Sequence, residues 1–199
     1  MNLLTDALPT EIDGLAIKTD FRVWLRVRAL MEDVEPKRML ADVDYFFDAM
    51  TGICKLIYTE LPEMFTGALF VELMNFLACR GAEQINPDKA RGEAKQGANI
   101  FDMDFDSGAI YASFLMQYGI DLTRVKTLHW FKFYILLQNL TDDTPLRVRT
   151  KIRGMKSSEV GKDKLKELQR VQSLYRVPVS EADRTAKEAL TAFLMKGGV

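Results

Sequence analysis

The stretch Ile100–Leu140, IFDMDFDSGAIYASFLMQYGIDLTRVKTLHWFKFYILLQNL, carries the densest apolar and aromatic content of the chain. Asp102, Asp104 and Asp106 alternate with apolar residues, and Ile110, Tyr111, Phe114, Leu115 and Tyr118 then recur at three- and four-residue spacings. That spacing predicts an amphipathic helix. Gly119 stands where a left-handed residue would stop it, because glycine lacks the Cβ that makes positive φ costly. Asp121 or Thr123 can then cap a second helix with Leu122, Val125, Leu128, Trp130, Phe131, Phe133, Tyr134 and Leu137. Between Leu128 and Leu137 only His129 and Lys132 are clearly polar. A helix apolar on nearly every side is central in its own domain or lies against a partner chain. The reading is a helical hairpin around which the rest is organised.

Working outward, Thr19 or Asp20 can cap a helix with Phe21, Trp24 and Leu25 on one face. Pro36 suits the first turn of a second helix, roughly Lys37 to Met50. Ile53 to Tyr58 is too short for periodicity to decide between strand and helix. Pro62 is placed to open the next helix, with Thr59 or Glu60 as cap. Met1 to Lys18, interrupted by Pro9 and Gly14, reads as extended chain with a short strand.

From Arg80 to Asn99 the composition changes, with three glycines, a proline and almost no large apolar residue. Such a stretch buries too little to offset its ordering entropy and reads as a mobile linker. It divides the chain into an N-terminal helical lobe (1–79), a linker (80–99) and the hairpin with basic C-terminal helices (100–199). Thr144-Pro145 starts a helix. A charged amphipathic segment then runs to Pro178, and Ser180 can start a last helix that Gly197-Gly198 stops. The fold class is all-α: a compact multi-helix bundle with a central aromatic hairpin and an internal linker.

Charge is nearly balanced overall, at −1, but uneven. Residues 1–145 hold 14 basic and 22 acidic side chains, and residues 146–199 hold 13 basic and 6 acidic. Such asymmetry fits a nucleic-acid surface, an acidic partner, or self-association in which one copy's basic tail docks on another's body. Against nucleic acid, Glu159, Asp163 and Glu167 punctuate Lys162, Lys164, Lys166 and Arg170, and Tyr175 is the lone aromatic available for base stacking there. Cys54 and Cys79 sit singly in apolar runs and read as buried free thiols, which suits a reducing cytosol. No apolar run reaches membrane-spanning length.

Candidate chemistry is sparse. Asp102-Met103-Asp104-Phe105-Asp106 opens like a calcium loop, but Ser107 stands at the glycine position and Ser113 at the glutamate position. Alternating acids before a helix N-terminus are the simpler reading. His129 is the single histidine and lacks companions at ligand spacing, so it reads as a core or interface residue. No nucleophile elbow, phosphate loop or zinc pattern occurs, so no enzyme, metal or cofactor site is expected.

The runs IYASFLMQYGIDL and LHWFKFYILLQNL resemble a phage protein family catalogued as gp-fifteen, found in siphophages and prophages close to the tape-measure gene. The resemblance is strong from Phe101 to roughly Arg153, and Thr19–Asp33, TDFRVWLRVRALMED, looks like the family's opening helix. It implies a tail assembly chaperone that coats the tape-measure protein until tail-tube subunits polymerise around it. Tyr118, Trp130, Phe131 and Tyr134 are then the expected partner-binding residues, since rigid aromatics dominate interface energies. On the helix alone, the same four read more simply as core. The competing readings are a nucleic-acid-binding or packaging accessory using the basic C-terminal third, and a tail-completion protein of the virion.

Overall fold

In the computed structural model, the structure describes residues 2–32, 34, 38, 41–80, 101–161 and 163–178. The fold is mostly helical, with seven α-helices and one two-stranded sheet among these residues. They fall into two compact units, one within Met1–Ala94 and Tyr111–Thr141, the other within Lys95–Ile110 and Asp142–Val199. From Tyr111 onward the aromatic hairpin therefore groups with the N-terminal residues, whereas the expected division keeps residues 100–199 together. The expected linker and last helix lie essentially outside the described residues.

The first unit opens with a tight hairpin, β1 (Glu11–Ile12) and β2 (Leu15–Ala16), with Ile12 opposite Leu15. Its turn, Asp13-Gly14, has φ of 54° and 72°, the positive pair that a primed two-residue turn requires. Helix α1 (Phe21–Glu32) follows, started by Asp20, whose carboxylate accepts the Arg22 backbone N–H at 3.0 Å. Helix α2 (Val43–Ile57) is capped by Asp42, which accepts the Tyr45 N–H. It runs straight through Gly52, so the undecided segment after it is helical as far as Ile57. Met50, Ile53, Cys54 and Ile57 are all buried on one face, and their burial outweighs the roughly 1 kcal/mol that glycine costs in a helix. Tyr58 leaves the helix, bridges to Ile17, and donates from its hydroxyl to the Ile12 carbonyl at 3.2 Å.

Helix α3 (Gly67–Leu77) starts five residues after Pro62. The expected caps, Thr59 and Glu60, are passed over for Thr66, whose hydroxyl accepts the Leu69 N–H at 3.1 Å. Helix α4 (Ser107–Tyr118) ends as expected at Gly119, with φ of 66° and its N–H donated to the Leu115 carbonyl.

Helix α5 (Trp130–Gln138) corrects the sequence reading most clearly, because Leu122, Val125 and Leu128 lie outside it. Asp121 does bind the Thr123 N–H and hydroxyl, but it closes a turn rather than starting the helix. The following backbone is committed elsewhere. Leu128 donates to the Asp20 carboxylate at 3.1 Å, and its carbonyl accepts the Phe21 N–H at 2.9 Å. Trp130 N–H donates to the Thr19 carbonyl at 2.7 Å. Arg22 adds two bonds of 2.8 Å to the carbonyls of Leu122 and Val125. These tertiary bonds satisfy groups that a helix would have used.

The core of this unit is an aromatic chain. Phe133 stacks on Phe21 at 4.7 Å, on Phe114 at 5.1 Å and near Trp130 at 5.7 Å. A second run joins Trp24 to Phe76 at 4.3 Å and Phe76 to Phe131 at 4.8 Å. Both indole N–H groups are satisfied, Trp24 by the Lys18 carbonyl and Trp130 by that of Leu77.

In the second unit, α6 (Pro145–Gly154) begins at Thr144-Pro145 as expected, and a 3₁₀ turn (Ser157–Glu159) leads to α7 (Leu165–Tyr175). Gln172 donates to the carbonyls of Ile152 and Met155, satisfying the end of α6. No helix among the described residues is long and apolar enough to cross a membrane.

Candidate functional site

The four aromatics expected to bind a partner separate into two pairs. Trp130 and Phe131 are 1% and 2% exposed, so in the single chain they are core residues and not surface anchors. The physical reason is that α5 is surrounded: α1, α3 and α4 supply Phe21, Phe76 and Phe114 to its faces. Tyr118 and Tyr134 are half-buried. The Tyr118 hydroxyl lies 2.9 Å from the Leu136 carbonyl and 3.1 Å from that of Asn139, so it closes the end of α5. Tyr134 packs against Trp130 and keeps part of its ring in solvent.

His129 is a structural residue. Its Nδ1 accepts the Phe131 N–H at 3.1 Å, which caps α5, and Nε2 then carries the proton toward the Pro9 carbonyl at 3.0 Å. Partial burial pushes its pKa below the usual 6.5, with the nearby Lys132 acting the same way. A cleft of about 540 Å³ lies beside it, lined by residues including Lys18, Asp20, Thr127 and Lys132. Its interior polar groups already have partners, since Asp20 binds Arg22 and Leu128 and His129 is used on both nitrogens.

Asp106, from the alternating acids, is wholly buried and holds Arg153 through both oxygens. Arg153 also donates from Nε to the Tyr175 carbonyl and lies over the Phe105 ring. One cation of the basic third is thus internal. Both cysteines are free and buried, as expected, and burial raises their thiol pKa to about 11 for Cys54 and about 12 for Cys79.

The surface feature that sequence reasoning passed over lies on the first half of α2 and the loop before α3. Phe46 and Phe47 meet edge-to-face at 5.8 Å; Phe47 then reaches Phe65 at 6.0 Å, and Phe46 reaches Phe70 at 6.5 Å. Around them Val43 is 68%, Phe47 43% and Met64 70% exposed. None of these rings is fully buried, Phe46, Phe65 and Phe70 being half-buried, and the buried face of α2 starts only at Met50. Their helical spacing was visible in the sequence, but periodicity does not tell an apolar face turned to the core from one turned to solvent. Clustered large apolar groups at a surface mark interaction sites more than folding ones.

Neither a curated protein nor a solved structure matches the chain. A family model does, described as Bacteriophage Gp15 protein and matching residues 4–177. The matched span includes every described element, the aromatic core and the exposed aromatic cluster. This chain belongs to the bacteriophage Gp15 protein family, which places it among phage-related structural or assembly proteins.

Proposed function

We propose that this protein is a non-enzymatic tail assembly chaperone of a siphophage, acting in the host cytoplasm on the tape-measure protein. It holds the partner's apolar helices in solution until tail-tube subunits assemble around them, and the tail-tube protein is a second candidate partner. The observation that carries the reading is the surface cluster in which exposed Val43, Phe47 and Met64 adjoin the half-buried rings of Phe46, Phe65 and Phe70. Rings held in place by one another offer a preformed surface to an amphipathic helix and lose little entropy on binding. Half-exposed Tyr134 is the remaining candidate on α5. Each site is small, so useful affinity comes from many copies along one long partner.

Co-expression with the tape-measure protein, followed by affinity capture, tests the proposal. Soluble tape-measure protein recovered with this chain is the expected result. A tape-measure protein that stays insoluble and uncaptured would refute it.

A further inference from the structure

The chemistry around the aromatic cluster specifies its partner further. Val43 and Phe47 are one helical turn apart on α2, and Asp44 and Asp48 form the adjoining row by the same spacing. Glu63 adjoins Met64 in the following loop. All three carboxylates are exposed, and none takes part in an ion pair among the described residues. Between Ala41 and Cys79 the chain carries six acidic side chains and a single basic one, Lys55. The aromatic surface is thus bordered by carboxylates, while the neighbouring cation Arg38 is committed to Asp42 at 3.2 Å and to the Tyr45 ring. Such a border repels anionic partners and attracts basic ones.

We infer that the α2 cluster is the docking surface for a basic amphipathic helix, one whose apolar stripe is flanked by lysine or arginine. The stripe lies on Val43, Phe46, Phe47 and Phe65, and the flanking cations reach Asp44, Asp48 and Glu63. The apolar contact supplies most of the affinity, and the carboxylates choose between helices of equal hydrophobicity. The inference rests on the chaperone reading for the biological source of the helix and not for the binding chemistry.

The test uses the full chain and two synthetic amphipathic helices of about 20 residues, long enough to span the surface, with identical leucine stripes flanked by lysine in one and glutamate in the other. Fluorescence anisotropy should show the lysine-flanked helix binding at least about tenfold more tightly, with the advantage shrinking as salt is raised. The double variant Asp44→Lys/Asp48→Lys should reverse the preference. Phe47→Ala should weaken the lysine-flanked helix by about tenfold or more, with the helical circular-dichroism signature retained because the buried face of α2 begins at Met50. Equal binding of both helices, no binding, or binding indifferent to Phe47→Ala would overturn the inference. So would sedimentation of the peptide-free chain as a dimer that Phe47→Ala dissolves, since a second copy would then be the occupant. If Phe47→Ala still captures the tape-measure protein, the surface assignment falls and the chaperone reading stands. If peptides bind as expected but wild type captures no tape-measure protein, the reverse holds.

Discussion

The Arg153 guanidinium holds both carboxylate oxygens of Asp106, with Nη1 at 2.6 Å and Nη2 at 2.7 Å, and both side chains are almost wholly out of solvent. Residues 47 positions apart in sequence are thereby joined within the second unit, and the Nε bond to the Tyr175 carbonyl adds the end of α7. Removing one member strands the other as a buried charge. Arg153→Met is expected to destabilise the second unit by about 3–5 kcal/mol, and Asp106→Leu to do similar damage. The double replacement should recover most of the loss, because no charge is then left unpaired. Urea denaturation of the three variants measures the coupling.

His129 links stability to mild acid. Its folded-state pKa is lowered below 6.5, so the unfolded chain takes up the proton first as pH falls. The contribution is complete above about pH 6.5 and is lost progressively as pH drops toward and through the lowered value. Protonation also puts a hydrogen on Nδ1, which can then no longer accept the Phe131 N–H. His129→Asn keeps a capping oxygen and should flatten this dependence, whereas His129→Ala should cost about 1 kcal/mol at pH 7.5. Thermal unfolding between pH 5 and 8 distinguishes the two.

The two thiols should be inert in the folded protein. With pKa values raised to about 11 and about 12, Cys54 and Cys79 hold almost no thiolate at neutral pH, and both are sheltered from reagent. A disulfide-exchange thiol reagent at pH 8 is expected to titrate neither in buffer and both in denaturant. Rapid reaction of the native protein would contradict the buried placement.

Gly119 carries the joint after α4. Its φ of 66° disfavours any residue with a Cβ, yet a Cβ there would meet nothing within 4 Å. The expected cost of Gly119→Ala is therefore conformational alone, about 1 kcal/mol, with Gly119→Asn milder because asparagine tolerates the left-handed region better. Chemical denaturation reads the difference.

Local signals in the sequence were reliable where one short-range rule governed. Gly119, the Thr144-Pro145 start of α6 and the Asp20 cap of α1 all lie where residue type alone places them. The Asp13-Gly14 turn obeys an equally short-range rule, within a stretch whose sequence reads only as extended chain with a short strand. Long-range partners set what was not legible. The segment from Asp121 to Leu128 has helical spacing, but Asp20 and Arg22, a hundred residues away, take its backbone groups. Trp130 and Phe131, expected at a partner surface, lie in the core, because nothing in a helix that is apolar all round says which side is covered. Phe47 was legible as apolar but not as exposed, since its exposure depends on α2 outrunning the core beyond Met50.

The central claim is that many copies of this chain coat one apolar partner. Light-scattering mass determination of the complex captured from co-expression with the tape-measure protein tests it most directly. A soluble complex holding several copies per tape-measure chain, reduced in number by Phe47→Ala, is the expected result. A one-to-one complex, or a tape-measure protein equally soluble without this chain, would contradict it.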